Sequence, residues 1–153
     1  MKKTLIGLTL MLLLTNVALS ADNPHMGTWK LNESKSKLAA GSTKNHTVTY
    51  TASGDSIKVT VDGTDASGKS VHSEWTGKFD GKSYPVTGDP TSDTRMYKKI
   101  NSRTMTLSAK QGKKITLTGR ITLSADGKTR TVTTTSTDAK GKKSSSTVVY
   151  DKQ

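Results

Sequence analysis

Histidine and acidic side chains are the groups in this sequence that could bind a metal. The three histidines are His25, His46 and His72, and His72 stands two residues before Glu74. Residues two apart on a strand share one face, so this pair could offer two ligands to a divalent ion. Protein zinc sites need three or four protein ligands. Because the adjacent Trp75 faces the opposite side, the pair is predicted to lie on the outer surface, without a metal.

Groups suited to acid–base or nucleophilic catalysis are sparse. Glu33 and Glu74 are the only glutamates, and most aspartates stand in turn sequences, where local hydrogen bonding explains them. No serine lies in a Gly-x-Ser-x-Gly elbow, and the chain has neither a phosphate-binding glycine loop nor a calcium loop. The sequence therefore predicts a protein without catalytic activity and without a cofactor.

Arg130 is the charged residue best placed to bind a ligand. It shares strand parity with Val132 and Thr134, so alternation along the strand can turn it toward an apolar interior. A guanidinium in that position would anchor a carboxylate or a sulfate. The alternative is that Arg130 lies at a strand end and extends its charge into solvent.

The elements that must position these residues are β-strands. Apolar residues alternate with Thr, Ser and Lys, as in Ile57–Val61 and Ile115–Leu123, and a period of two is typical of strands with one buried face. Turn sequences that contain glycine separate the runs. The pattern predicts about ten strands, near residues 27–32, 46–53, 56–63, 69–78, 82–87, 94–100, 103–110, 113–123, 128–137 and 143–150.

The sheet is expected to close on itself, because an open sheet would leave unpaired edges. Short turns pair consecutive strands antiparallel, which gives an up-and-down meander. An open sheet of ten strands would leave two edges and an uncovered apolar face, and closure into a small barrel removes both. The sequence thus predicts one all-β domain over residues 22–153. The segment 33–41, ended by Gly41, is expected to form a helical turn that caps one end of the barrel.

Residues 1–21 have the pattern of a secretory signal peptide. Lys2 and Lys3 precede the apolar run Leu5–Leu14, and small residues permit cleavage after Ser20 or after Ala21. The run is shorter than the roughly 20 apolar residues of a membrane span, and retention as an N-terminal anchor is the alternative. The chain has no cysteine, so disulfides are excluded. These features predict a periplasmic or secreted protein that does not span the membrane.

Large residues on the inward faces form the predicted interior. Apolar walls with a few polar groups are typical of small-molecule sites, although the same side chains could fill the barrel as core. Trp29 is expected to be core, because large aromatic residues dominate burial. The candidates for ligand binding are Trp29, Tyr50, Trp75, Phe79, Met96, Met105, Leu117, Arg130 and Tyr150.

Both ends of the exported part resemble the lipocalin and fatty-acid-binding-protein (calycin) superfamily. Gly27-Thr28-Trp29 matches the Gly-x-Trp motif whose tryptophan lies across the barrel floor, and Val149-Tyr150-Asp151-Lys152 resembles the last strand of the fatty-acid binders. The resemblance implies a barrel that carries a small apolar or amphipathic, lipid-like molecule. Two features depart from the superfamily. Val148 stands where the fatty-acid binders have a ligand-binding arginine. Lipocalins usually stack an arginine from near the end of the barrel on the Gly-x-Trp tryptophan, and no arginine follows Arg130 in this sequence.

Positive charge is concentrated in the second half of the chain. Residues 81–153 contain fifteen Lys and Arg against five Asp and Glu, whereas residues 22–80 contain seven of each kind. A meander places this excess on one side of the barrel, where it would attract anionic envelope polymers. The candidate polyanion-binding residues are Arg95, Lys98, Lys99, Arg103, Lys113 and Lys114.

The positive charge has a second interpretation, which concerns solubility and not binding. The lysines could form a solvated surface that opposes aggregation. Aromatic residues are few and scattered, so the sequence predicts no sequence-specific recognition of nucleic acid. The oligomeric state stays open.

Overall fold

The structure, a computed structural model, describes residues 23–153 as one closed antiparallel barrel. Each strand pairs with its neighbours along the chain, and the first strand pairs with the last. The predicted all-β meander barrel is confirmed, and every strand boundary lies within two residues of its predicted position. The predicted signal peptide lies outside the described residues. In that range the strands are β1 (Gly27–Leu31), β2 (Lys44–Ser53), β3 (Ser56–Thr64), β4 (Ser70–Gly77), β5 (Asp80–Thr87), β6 (Thr94–Asn101), β7 (Thr104–Gln111), β8 (Lys114–Leu123), β9 (Thr129–Thr137) and β10 (Lys143–Lys152).

The meander gives the barrel two distinct ends. The lower end is formed by residues 23–26 and by the turns at 54–55, 78–79, 102–103 and 124–128. The upper end is formed by the turns at 65–69, 88–93, 112–113 and 138–142. The chain between β1 and β2 also reaches the upper end.

The core occupies the inward faces of the strands and is densest toward the lower end. Five rings form a cluster of edge-to-face, stacked and tilted pairs, with centroids 4.8 Å apart for Trp75 and Tyr97 and 6.2 Å apart for Tyr50 and Phe79. Such ring pairs add stability beyond their buried area. The buried apolar residues are Met26, Trp29, Val48, Tyr50, Val59, Val61, Trp75, Val86, Tyr97, Met105, Ile121, Leu123, Val148 and Tyr150.

The segment after β1 closes a gap between strands and does not cap an end. β1 has five residues, whereas its partners β2 and β10 have ten each. A 3-10 turn at Glu33–Lys35 continues β1, and the backbone of Lys37 then exchanges two hydrogen bonds with Thr147 of β10. The predicted helical turn thus exists, but it lies beside β10, because the short β1 leaves backbone groups of β10 unpaired.

One inward position of the predicted pattern is exposed. Ile115 has the parity of Leu117, yet 48% of its surface is exposed. The pairing of β7 with β8 shifts between Ala109 and Lys110, so that Lys110 faces Ile115 and Thr116 is the extra residue. A bulge of this kind reverses the alternation beyond it. The expectation that Ile115 faces inward is therefore wrong.

Candidate functional site

Arg130 lies inside the barrel, on its floor. It is 4% exposed, so the inward orientation is confirmed and the extension into solvent is wrong. Strand pairing places it beside Leu123 and Tyr150, two buried residues of the neighbouring strands. Its Nη2 reaches across the barrel and donates a hydrogen bond to the Tyr50 hydroxyl at 2.5 Å.

Three aromatic rings surround the Arg130 guanidinium. Its Cζ lies 4.7 Å from the ring centroid of Tyr50, 5.7 Å from that of Tyr150 and 5.9 Å from that of Trp29. Ring faces attract a cation at these distances. Burial raises the pKa of Tyr150 to about 12 and raises that of Tyr50 further still. Both phenols are therefore neutral at physiological pH and bring no negative charge to the guanidinium.

The guanidinium also lacks an acidic partner in the described range. Arg130 forms none of the salt bridges found between residues 23 and 153. Its Nε and Nη1 are buried and have no hydrogen-bond partner there. Buried polar groups are normally hydrogen-bonded, and an unpaired buried charge costs several kcal/mol. The site therefore favours an added acceptor group, and an anionic one most of all.

A cavity of about 110 Å³ lies above Arg130. Arg130 and Tyr150 line its lower part, and residues of the 88–93 turn line it near the upper end. Its walls are apolar in the middle and polar at the upper end. The lining residues are Asn45, Val48, Val61, Asp89, Thr91, Ser92, Arg95, Tyr97, Leu107, Ala109, Leu117, Ile121, Arg130, Val132, Thr134 and Tyr150.

An ion pair lines the upper part of this cavity. Arg95 Nη2 donates to Asp89 Oδ2 at 2.6 Å, and both side chains are mostly buried. Ser92 donates to the same carboxylate oxygen at 2.8 Å, and Thr91 donates to the other. Burial raises the pKa of Asp89, but the hydrogen bonds from Thr91 and the charge of Arg95 outweigh it and hold that pKa below its usual 3.8. Asp89 is thus ionised at neutral pH, and the pair is neutral as a whole.

The predicted interior residues divide into core and cavity. Leu117, Arg130 and Tyr150 line the cavity. Trp29, which is 0% exposed, and Tyr50, Trp75, Phe79 and Met105 pack in or against the core below it. Trp29 as barrel-floor core is confirmed, whereas ligand binding by any member of the set stays a prediction.

Met96 is the interior candidate that the structure contradicts. Its neighbour Tyr97 is buried, and both Tyr97 and Arg95 line the cavity. Side chains alternate along a strand, so Met96 lies on the outer face of β6, where it is half-buried. The sequence of β6 carries charged residues on both faces, so its hydrophobic pattern could not decide between the two orientations.

Arg95, Tyr97 and Asp89 are therefore the site residues that sequence reasoning missed. Arg95 was assigned to the polyanion-binding surface, and that assignment is wrong because its guanidinium points into the barrel. The run from Asp89 to Asp93 has the composition of an Asp-initiated turn. That signal could have placed a fixed carboxylate near β6, though not its partner.

The remaining predicted polyanion-binding residues form two separate groups. Lys98, Lys99 and Arg103 lie near the β6–β7 turn at the lower end, and all are exposed. Lys113 and Lys114 lie at the upper end, where Lys114 Nζ donates to two backbone oxygens of the β9–β10 turn. The eight residues of β7 separate the groups by roughly 25 Å, at about 3.4 Å per residue.

His25 closes the lower end beneath the arginine. It is 1% exposed, and its backbone oxygen accepts a hydrogen bond from Trp29 Nε1 at 2.9 Å. Neither ring nitrogen of His25 has a partner in residues 23–153. Burial lowers the pKa of His25 to about 4, with smaller contributions from the positive charges of Arg130, Lys99 and Lys152. His25 is therefore a neutral imidazole at physiological pH.

His72 and Glu74 lie on the outer surface, as predicted, and Asp62 joins them. His72 Nδ1 is 2.6 Å from Asp62 Oδ1, and Nε2 is 3.4 Å from Glu74 Oε1. The hydrogen bond with Asp62, followed by that with Glu74, raises the pKa of His72. Lys58 Nζ forms an ion pair with Glu74 at 2.8 Å, so the group is a hydrogen-bonded network of charged and titratable side chains. No cluster of His, Asp and Glu in the described part of the chain has the arrangement of a metal site.

No family model matches the chain, and no curated protein matches it significantly. Between residues 23 and 153 no helix has the length and apolar character to cross a bilayer. The fold and the site define the class of this protein as a closed antiparallel barrel with a small interior cavity. The barrel has ten strands in residues 23–153. In this coarse respect the architecture agrees with the calycin resemblance.

Proposed function

We propose that this chain is an exported, non-catalytic barrel of lipocalin-like type that binds a small amphipathic molecule, with the anionic group of that molecule on Arg130. The observation that carries the proposal is the Arg130 guanidinium itself. It is 4% exposed, lines the cavity and keeps Nε and Nη1 without partners among residues 23–153. Carboxylate and sulfate oxygens bind a guanidinium through charge-assisted hydrogen bonds, which are about twice as strong as neutral ones.

The cavity walls suit the remainder of such a molecule. Val48, Val61 and Val132 give an apolar middle section above the guanidinium. Asn45 and Thr134 add polar groups to the lining. Small-molecule sites commonly combine apolar walls with a few polar groups that fix orientation. An amphipathic molecule with one anionic end satisfies both parts of this surface.

Thermal unfolding of the purified protein tests the proposal. The panel contains carboxylates, alkyl sulfates and the neutral amides that correspond to the carboxylates. A ligand at 100 times its Kd adds about 2.7 kcal/mol to the stability of the folded state, which is a measurable rise in Tm. We expect anionic members to raise Tm and the amides to leave it unchanged.

Arg130→Gln is the decisive variant, because it keeps a hydrogen-bonding side chain and removes the charge. We expect it to abolish the rise in Tm. Lys82→Gln is the matched control, since it removes one positive charge from an exposed position on β5. Equal rises in Tm for the R130Q variant and the unaltered protein would contradict the proposal.

A second function is favoured by the arrangement of charge outside the barrel. Strands β6–β10 are consecutive neighbours around the barrel, and residues 81–153 carry the positive excess. Part of this positive charge lies together at the lower end of the barrel, on Lys98, Lys99 and Arg103. We propose as the alternative that this surface docks on an anionic envelope polymer.

Retention on a polyanion resin tests the alternative. We expect elution near about 0.5 M salt, where the screening length is about 4 Å. A variant with Lys98, Lys99 and Arg103 changed to Gln should elute earlier, and R130Q should elute unchanged because Arg130 is buried. Absence of retention at low salt would refute the alternative.

A further inference from the structure

We infer that the ligand of the cavity is a small monoanion of the size of a short-chain carboxylate, and that long-chain lipids are excluded. The inference rests on the proposed function, because it takes Arg130 as the anchor. Two properties of the site carry it, namely the volume of the cavity and the balance of charge in its lining.

The volume limits the ligand to a small molecule. The cavity measures about 110 Å³, whereas sites for drug-sized ligands begin at roughly 300 Å³. A water-sized group needs roughly 10–15 Å³ of such volume, so that roughly seven to eleven non-hydrogen atoms fit. Butyrate has six such atoms and hexanoate has eight, whereas dodecanoate has fourteen.

The surroundings of the cavity give a longer chain no continuation. Below Arg130 the interior is filled, since Trp29 is 0% exposed and Trp75 packs on Tyr97 with ring centroids 4.8 Å apart. At the upper end a chain would meet the Asp89–Arg95 ion pair. Displacing those charged groups by methylene groups would leave buried charge without a partner, which is unfavourable.

The charge of the lining selects a single negative charge. Three ionised side chains line the cavity, and two of them, Asp89 and Arg95, neutralise each other at 2.6 Å. Arg130 remains as one unpaired positive charge. A neutral ligand would leave it unpaired, and a dianion would bring a second charge for which the lining offers no free partner. A monoanion balances the site.

Titration calorimetry with defined acids tests the inference. The probes are acetate, butyrate, hexanoate and dodecanoate, the last below its micelle concentration, with butyramide as the neutral counterpart of butyrate. We expect the lowest Kd for butyrate or hexanoate. Dodecanoate and butyramide should each bind at least tenfold more weakly than butyrate.

Two variants connect the result to the cavity. Arg130→Gln should weaken butyrate at least tenfold, with Lys82→Gln on the outside of β5 as the control that leaves Kd unchanged. Ala109 lines the cavity and is 2% exposed, so Ala109→Val adds two methyl groups inside it. We expect A109V to weaken hexanoate at least fivefold and to leave acetate within twofold. This second variant keeps the test decisive if R130Q does not fold.

The outcomes separate the inference from the function on which it rests. Dodecanoate that binds as tightly as butyrate, and through Arg130, would overturn the size limit and leave the proposed function in place. Equal binding of butyrate and butyramide would overturn the selection for an anion. If no acid of any length binds, the proposed function falls as well.

Discussion

Asp89 and Arg95 show how one loop residue can determine the polarity of a cavity. The carboxylate accepts hydrogen bonds from Thr91, Ser92 and Arg95, so its position is fixed by the turn that it initiates. Arg95 in turn is held by this carboxylate, and its Nε has no partner in the described range. Loss of the carboxylate would leave a second unpaired guanidinium inside the barrel.

We therefore expect Asp89→Asn to lower the free energy of unfolding by about 3 kcal/mol, the lower end of the range for breaking a buried pair. Urea unfolding at pH 7 measures it. Asp126→Asn is the control, because Asp126 makes similar turn hydrogen bonds on the surface. We expect this control to cost much less stability than Asp89→Asn, because solvent can replace the lost bonds. The double variant Asp89→Asn, Arg95→Gln should recover part of the loss.

The pH dependence of the same variant has a definite sign. The pKa of Asp89 lies below its usual 3.8 in the folded protein. A carboxyl group with a lowered pKa stabilises the fold above its unfolded pKa, and this stabilisation is lost as pH falls through the folded pKa. The difference between D89N and the unaltered protein should therefore be constant above about pH 5 and should shrink below pH 3.8. A difference that does not change at all as pH falls below 3.8 would count against charge as its source.

At the scale of elements, the end of β5 fixes the loop that carries Asp89. Gly88 has a φ of +74°, and a Cβ there would lie 2.1 Å from the backbone oxygen of His72 on β4. Gly112, in the β7–β8 turn, has a φ of +57° and open space around it. At both positions a side chain would be strained by the positive φ. Only at position 88 would its Cβ also clash with backbone that cannot move away.

We expect Gly112→Ala to cost about 1 kcal/mol and Gly88→Ala to cost at least about 3 kcal/mol, because the clash must separate β4 from β5. Urea unfolding of the two variants gives the difference directly. The 88–93 loop should move with β5, so G88A should also weaken any ligand that binds the cavity. Equal costs for the two variants would show that β4 and β5 can separate there without penalty.

At the scale of the whole molecule, the barrel could be predicted because alternation and turn chemistry agree along nearly all of the chain. Two local features broke the pattern. β6 carries Arg95 and Lys98 on opposite faces, so hydrophobicity did not reveal its inward side, and the bulge at Thr116 turned Ile115 outward. Such features depend on how neighbouring strands pair, and the sequence of one strand alone does not carry that information.

The candidate site was predictable only in part, for a related reason. The parity of Arg130 with Val132 indicated an inward guanidinium, and it is buried. Its contact with Tyr50 joins residues 80 positions apart, and the Asp89–Arg95 pair depends on a loop that folds over the upper end. Cavity volume is what remains after all side chains have packed, so no local pattern reveals it.

The stability of the whole barrel should depend on pH through His25. Its pKa is about 4 in the folded protein and 6.5 in its unperturbed state, so the unfolded chain binds a proton at a higher pH than the folded chain. Stability is then complete above pH 6.5 and is lost as pH falls toward 4. A shift of this size corresponds to about 3 kcal/mol between pH 7.5 and pH 4. The aspartates with lowered pKa values change the stability of the fold mainly below this pH range.

Urea unfolding between pH 7.5 and pH 4 measures the loss, and two variants assign it. His25→Gln keeps a polar side chain that cannot be protonated, so we expect its stability to vary much less with pH. His72 lies on the surface with a raised pKa, so its protonation favours the folded state at low pH. His72→Gln should therefore make the acid loss larger. If H25Q loses as much stability as the unaltered protein, His25 is not the group that destabilises the barrel in acid.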